Sequence, residues 1–285
     1  MKITFLGTGT STGVPVIGCD CPTCKSNDPR DKRFRTSTLL SFAGKNVLID
    51  TTPDLRMQAL NNNISRLDAI LFTHSHADHI FGLDDIRRFC LLQKAAIPCY
   101  AWGKCAADIR RVFDYALLEN AHLQNSFCPL IDLHEINEDF ELFGQRVQPI
   151  PLIHAAEPIL GYRLGRFAYC TDCSQIAPQS MAMLGGLEVL VLGALRPRPH
   201  PAHFSISQAV EVAKKLSPQR TFFVHLGHGV RHETVSRELP EGISLAYDGL
   251  CIETDAERRE RKAKGGSRKA EGRNGKTFHH ESTSL

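Results

Sequence analysis

The sequence predicts an α/β protein built from two β-sheets, each covered on its outer face by helices. Three observations carry that expectation. Short β-prone runs occur in both halves of the chain, with helical patterns between many of them. One run, Leu67–Thr73, is apolar enough to be a buried strand and leads straight into a cluster of histidines. The chain has 285 residues, 42% hydrophobic and 23% charged, which is ordinary for a globular protein and long enough for one large core or two modest domains.

Lys2–Leu6 alternates and reads as the first strand. Gly7-Thr8-Gly9-Thr10-Ser11-Thr12-Gly13 follows as a loop whose glycines permit positive φ and close approach of backbone to a ligand. Thr38–Phe42 and Asn46–Ile49 read as a hairpin around Ala43-Gly44-Lys45. Pro53–Asn61, Leu83–Leu92 and Lys104–Leu118 read as helices. Arg146–Ile150, Gly161–Leu164, Phe167–Thr171, Val189–Gly193 and Thr221–His225 are further strands. Ser205–Leu216 is an amphipathic helix with a serine start, and Ile243–Ala246 and Leu250–Glu253 close the body. Beyond Thr254 apolar residues become scarce, so 1–255 is expected as the folded domain and 256–285 as a basic, disordered tail.

Residues 256–285 hold nine Lys/Arg against four Glu, whereas 1–255 hold 25 Lys/Arg against 27 Asp/Glu. The body is therefore near neutral, which argues against a body-wide nucleic-acid surface. No apolar run reaches the roughly 18 residues of a membrane span, and the N-terminus lacks the pattern of a signal peptide. The expected compartment is the cytoplasm. Ten cysteines fit it, because reduced thiols in clusters more often bind metal than pair.

The strongest chemical signal is Thr73-His74-Ser75-His76-Ala77-Asp78-His79. His74 and His76 are two apart at a strand end, so their rings project to one side. Asp78 and His79 follow on the turn into the next element. Imidazole and carboxylate donors converging in six residues suit Zn, Mn or Fe. A second cluster, Cys19, Cys21 and Cys24, supplies three thiolates, and a closed structural zinc needs a fourth ligand. His228 lies three residues beyond His225, so one turn can aim His225 at one centre and His228 at the cysteines. Cys170 and Cys173 form a C-x-x-C frame, read as core packing rather than a redox pair.

His-x-His-x-Asp-His after an apolar strand resembles the metallo-β-lactamase superfamily, and the resemblance covers nearly all of 1–255. It implies a four-layer αββα sandwich and an active site with two divalent metals, Zn or Mn. By that resemblance His74, His76 and His154 hold one metal. Asp78, which also counts as catalytic, holds the second with His79 and His225, and Asp172 bridges the two. Asp50 supports the histidine loop without binding metal. The cysteine cluster with His228, one structural Zn, and the Gly-Thr-Gly-Thr…Gly-Val-Pro stretch resemble the PhnP-type phosphodiesterases. PqqB-like proteins share the cysteine pattern.

The resemblance implies hydrolysis of a small phosphodiester, cyclic or linear, with two metals activating a shared water. His203 matches the place of the general acid in PhnP-type enzymes, and His200 competes for that role. Arg196, Arg198 and Ser205 are candidate substrate-binding residues, guanidinium forks being suited to a second phosphate. The segment 94–130 is expected to cover the site, with Tyr100, Trp102 and Tyr115 as pocket or core aromatics. The expected partner is a small phosphodiester, with no membrane and no nucleic acid as leading substrate; the sequence leaves the oligomeric state open, a homodimer being one option. Rivals are a ribonuclease Z-like nuclease, a thioester or lactone hydrolase, and a PqqB-like accessory protein.

Overall fold

Apolar residues on both faces of the central strands need cover on both sides, and the computed structural model, which describes residues 1–123 and 128–254, supplies it in four layers. The tail expected over 256–285 lies outside the described residues. β1 (Lys2–Gly7), β2 (Ser37–Phe42) and β3 (Lys45–Ile49) form an antiparallel meander. Then α1 (Leu55–Asn61) leads to β4 (Ala69–Leu71), which runs parallel to β3. Helices α2 (Ala77–Ile80) and α3 (Arg87–Gln93) precede β5 (Ile97–Ala101), and α4 (Gly103–Val112) precedes β6 (Ile131–Glu135), both strands again parallel to their predecessors.

The second sheet starts with antiparallel β7 (Phe140–Leu142), β8 (Gln145–His154), β9 (Glu157–Leu164) and β10 (Phe167–Cys170). It continues as parallel strands β11 (Val189–Gly193), β12 (Arg220–Val224) and β13 (Ile243–Leu245), interleaved with α5 (Pro178–Met183), α6 (Ile206–Leu216) and α7 (His232–Glu238). Finally β14 (Cys251–Glu253) returns to pair with β1. The orders are β14-β1-β2-β3-β4-β5-β6 and β13-β12-β11-β10-β9-β8-β7.

Side-chain alternation explains the layering. On β3, Val47 and Ile49 enter the core between the sheets, while Leu48 faces Leu55, Phe89 and Ile109 of the outer helices. On β11, Val189 and Val191 face inward, and Leu190 and Leu192 pack with Ala209 and Val235 of α6 and α7. The expected αββα sandwich is the observed fold.

Several boundaries differ from the sequence expectation. The helix expected over 104–118 stops at Val112, because Leu117 bridges to Ile131 at the sheet edge. The helix expected over 83–92 opens with a 3-10 turn, Leu83–Ile86, before α3. Ile97–Ala101 was not expected as a strand, since it is short and contains Pro98. It is held by pairing with β4 on one side and β6 on the other. Strand β8 runs on to His154 and β9 starts at Glu157, so His154 sits at the tip of a long hairpin.

The strand ends build the site. Asp50 follows β3, His225 follows β12, and Asp172 lies just after β10, with φ of 62°, 57° and 58°. Left-handed backbone at a non-glycine residue costs on the order of 1–3 kcal/mol, and it concentrates at functional sites. Asp and His tolerate it better than most residues.

Candidate metal centres and the active-site cleft

Loop Asp50-Thr51-Thr52 is the anchor for the histidine motif. Thr51 N donates to His79 O at 2.8 Å and Gly82 N donates to Thr51 O at 3.0 Å, so α2 hangs from this loop. The approach is close: a Cβ on Gly82 would lie 1.8 Å from Thr52 O. Asp50 is fully buried. Its Oδ1 accepts from Thr73 N, and its Oδ2 accepts from Thr73 Oγ1 and contacts His79 Nδ1, each at 2.8 Å. An Nδ1–H donated to Asp50 leaves His79 Nε2 as a lone-pair donor, the orientation a metal ligand requires. Likewise His154 Nδ1 meets Ala202 O at 2.8 Å, freeing its Nε2.

The structure brings the expected ligands into two groups. Donor atoms of His74, His76 and His154 lie within 4.8 Å of one another, and so do those of Asp78, His79, Asp172 and His225. The groups adjoin, with His74 and His79 ring centroids 4.1 Å apart. Asp172 sits in the second group, its Oδ2 2.9 Å from His225 Nε2 and 3.4 Å from His79 Nε2. Its Oδ1 accepts from Thr171 Oγ1 at 2.5 Å. The buried Nε2 of His74 has no hydrogen-bond partner, and those of His79 and His225 face only carboxylate oxygens, an arrangement that fits cation ligands.

The electrostatics point the same way. Burial opposes ionisation of Asp172, but His225 and His79 outweigh it and hold its carboxyl well below the usual range. Burial opposes protonation of His79, yet the charges of Asp172, Asp78 and Asp50 hold it well above its usual value. His225 is raised to about 9 against the same burial, chiefly by Asp172. Three buried carboxylates in one pocket call for positive charge, and divalent ions on this N/O donor set would supply it.

The sulfur cluster lies at the other end of the loop that carries His225. Cys19, Cys21 and Cys24 Sγ lie 3.2, 3.5 and 3.9 Å from His228 Nδ1, and the four donor atoms fall within 4.8 Å of one another. The Cys24 N–H donates to Cys21 Sγ and is the main reason the Cys21 thiol is held down at about 6. Burial pushes Cys24 up to about 11, so a cation is what would keep it a thiolate.

Two braces were not legible in the sequence. Arg33, buried with Asp31, donates to Asp31 Oδ1 at 3.1 Å, Gly227 O at 3.3 Å and Val230 O at 2.8 Å. It thereby clamps the loop on both sides of His228. Asp31 Oδ1 also accepts from His232 N at 2.8 Å. The second brace is Ser75 Oγ, which donates to Asp108 Oδ2 on α4 at 2.7 Å and ties the His74–His76 turn to that helix.

His203 lies over both ligand groups, its ring 4.6 Å from His154 and 4.8 Å from His225. Burial first, then the neighbouring His225, push it down to about 3, and its buried Nδ1 has no partner. His200 Nδ1 accepts from Ala202 N and shapes the same loop.

Ser205 is a correction: it is fully buried, and its hydroxyl accepts from Gln208 N in the capping box that starts α6, so it is not placed to touch substrate. Arg196 folds its guanidinium back onto Arg198 O and Pro199 O, bracing the loop, while Arg198 is exposed. Of the three aromatics singled out, Trp102 lines the cleft beside His74, His76 and His154. Tyr100 instead stacks on Phe140 and His134, and Tyr115 donates to Asp84 on the surface. Cys170 and Cys173 are fully buried in the core outside the second sheet.

A profile of the "Beta-lactamase superfamily domain" matches residues 45–226. With the fold and both ligand groups in place, the chain belongs to the β-lactamase superfamily, in its metal-binding form. Within it the resemblance is to PhnP-type proteins: a crystal structure described as a new diphosphatase from the PhnP family is 46% identical, with a TM-score of 0.81 over 88% of this chain and 96% of that one. An octanoyltransferase from Porphyromonas gingivalis is 39% identical over 88% of this chain and 51% of its own length. A ribonuclease Z from Methanococcus maripaludis is 26% identical over 57% of this chain and 48% of its own length. The chain thus spans about half the length of these two curated relatives. Among the described residues no helix is long and apolar enough to cross a membrane.

Proposed function

We propose that the protein is a metal-dependent phosphodiesterase acting on a small phosphodiester or diphosphate ester. The observation that carries this reading is the position of His203, a ring's width from one ligand of each group, with an unsatisfied buried nitrogen. When bound, two divalent ions supply Lewis-acid neutralisation of phosphoryl oxygens and acidify water.

The chain's own residues do the rest. Asp50 and the Ala202 carbonyl fix the tautomers of His79 and His154. Neutral at rest, His203 gains a proton when an anionic phosphoester lies beside it, since a nearby negative charge favours imidazolium. It then gives that proton to the departing alkoxide as the P–O bond breaks. Arg198 offers its guanidinium to a second phosphate on the exposed side. Cys19, Cys21, Cys24 and His228 would hold a structural zinc, which would anchor the cysteine segment to the His225 loop. The near-neutral body favours a small substrate over a nucleic-acid strand.

Metal content measured together with turnover of bis(p-nitrophenyl) phosphate tests the reading. Two exchangeable metals, one tightly held zinc and metal-dependent diester hydrolysis are expected, with His203→Ala losing turnover at full metal content. Loss of metal in that variant would make His203 a ligand and remove the proton-donor role. A second reading, hydrolysis of an acyl thioester, is favoured by the octanoyltransferase relative. Full metal loading with octanoyl thioester cleavage and no diester cleavage would establish it instead.

A further inference from the structure

The cleft that opens on His74, His76 and His154 is walled by Trp102, Pro158 and Ile159 and has a volume of about 280 Å³. That is just below the usual range of small-molecule sites, about 300–1,000 Å³, and leaves room for one compact substituent. Lys104 Nζ and Glu157 Oε2 approach to 3.8 Å at its rim, so the rim carries no net charge. A polyanionic strand threaded here would meet the Glu157 carboxylate. No residue of the His200–His203 loop lines this cleft. The two flanks of the site therefore differ, one apolar and neutral, the other bearing Arg196, Arg198 and His200.

In-line displacement at phosphorus puts the leaving oxygen on one side, beside its proton donor. With His203 as that donor and the attacking oxygen in line on the far side of phosphorus, the retained substituent lies beside the reaction axis, and the cleft against the three histidines, which the proton-donor loop does not line, is open to receive it. We propose that this cleft binds the retained substituent, and that the substituent is a nucleoside whose base lies against Trp102. The inference rests on the phosphodiesterase reading. Trp102 suits the role because its backbone is fixed as the N-cap of α4, with Cys105 N donating to Trp102 O at 2.9 Å. An indole face gives a flat base a sequence-tolerant stacking surface, worth about tenfold or more in affinity.

Trp102 is the only tryptophan in the chain, so intrinsic fluorescence reports on this cleft without any need for turnover. The metal-loaded full chain is titrated with thymidine 5′-monophosphate, methyl phosphate, inorganic phosphate and octanoate. Saturable quenching by the nucleotide, at concentrations where methyl phosphate and phosphate leave the spectrum unchanged, is expected. Equal responses to all phosphates, or a response to octanoate alone, would overturn the assignment. In parallel, p-nitrophenyl esters of thymidine 5′-phosphate and of methyl phosphate are compared. The wild-type kcat/KM ratio should favour the thymidyl ester by about tenfold or more and collapse toward one in Trp102→Ala. An identical ratio in the two proteins sinks the proposal while sparing the phosphodiesterase reading. Nucleotide quenching without hydrolysis of either ester does the reverse.

Discussion

His225 and His228 sit three residues apart on the loop after β12, and they serve surroundings of opposite construction. His225 is buried, and the two adjoining ligand groups draw on four separate stretches: the His74–His79 turn, the tip of β8 and the ends of β10 and β12. His228 is exposed and faces three sulfurs from a single six-residue stretch. The inner ligands are oriented by other residues: Asp50 for His79, Ala202 for His154, Thr171 for Asp172. The outer ligands lean on their own backbone, as Cys24 N does on Cys21, and on the loop that Arg33 clamps. Inner geometry thus rests on residues from across the fold, whereas outer geometry rests on one short stretch and a clamped loop. On the proposed function, this is the division between a site kept open for substrate and a closed structural site.

The largest effect should separate the two histidines. His225→Ala is expected to empty the second ligand group and reduce diester turnover by more than about 100-fold, beyond what loss of an orienting partner does. His228→Ala should release one zinc per chain, lower the melting temperature, and leave the two exchangeable metals in place. Metal stoichiometry beside turnover reads both. Equal metal loss in the two variants would mean the regions are one cooperative unit.

Next in size is Arg33→Met, which strips the partner from buried Asp31 and frees the Gly227 and Val230 carbonyls. Breaking a buried pair on one side costs about 3–5 kcal/mol, to be seen in chemical denaturation. Zinc should leave this variant at lower chelator concentration than wild type. Arg33→Lys, which keeps the charge but cannot span both carbonyls, should fall between. Wild-type zinc retention in Arg33→Met would rule out the clamp.

The ligand groups were legible in the sequence because their residue types are unusual where they stand. An apolar run ending in His or Asp marks a strand that delivers a polar group, as at Asp50, Asp172 and His225. His74 to His79 are read together because a single turn holds them. Arg33 was illegible for the opposite reason: Arg30, Lys32, Arg33 and Arg35 look like a solvated basic stretch, and nothing local says that one of them is buried. Ser205 was read as a candidate substrate-binding residue, but the chain turns at that point into a buried helix cap. Ser75 and Asp108 are 33 residues apart, and only the packing of α4 on the first sheet brings them together. The fold class survived missing β5, β6 and β7 because pairing with neighbouring strands, not local propensity, holds those segments.

Asp248 is a third brace on the chain leading from the cysteines, and it is pH-sensitive. Its Oδ1 accepts from Thr8 Oγ1 at 2.7 Å and its Oδ2 from Phe34 N at 2.6 Å. Burial raises its carboxyl from 3.8 to about 7. The folded chain therefore binds a proton that the unfolded chain has released, and the stability this contributes is full below pH 3.8 and is lost as pH rises through 7. Asp248→Asn should remove this decline. Relative to wild type, the variant should gain about 2–3 kcal/mol between roughly pH 5 and 8 in paired denaturation curves. A constant difference across that range would place the carboxyl's folded pKa near its ordinary value.

The smallest effect tests whether the inner group is oriented from outside, as the comparison requires. Ser75→Ala removes the hydrogen bond to Asp108 without touching a ligand. The His74–His76 turn then loses its tie to α4, and metal affinity of the three-histidine group should fall about tenfold, the low end for an orienting partner. Metal competition against a chelator reads this directly. Asp108→Asn weakens the same bond from the other side, so the double variant should lose little more than either single one. Additive losses would mean that Ser75 and Asp108 act on the site independently, and that α4 positions the cleft wall at Trp102 without positioning the ligands.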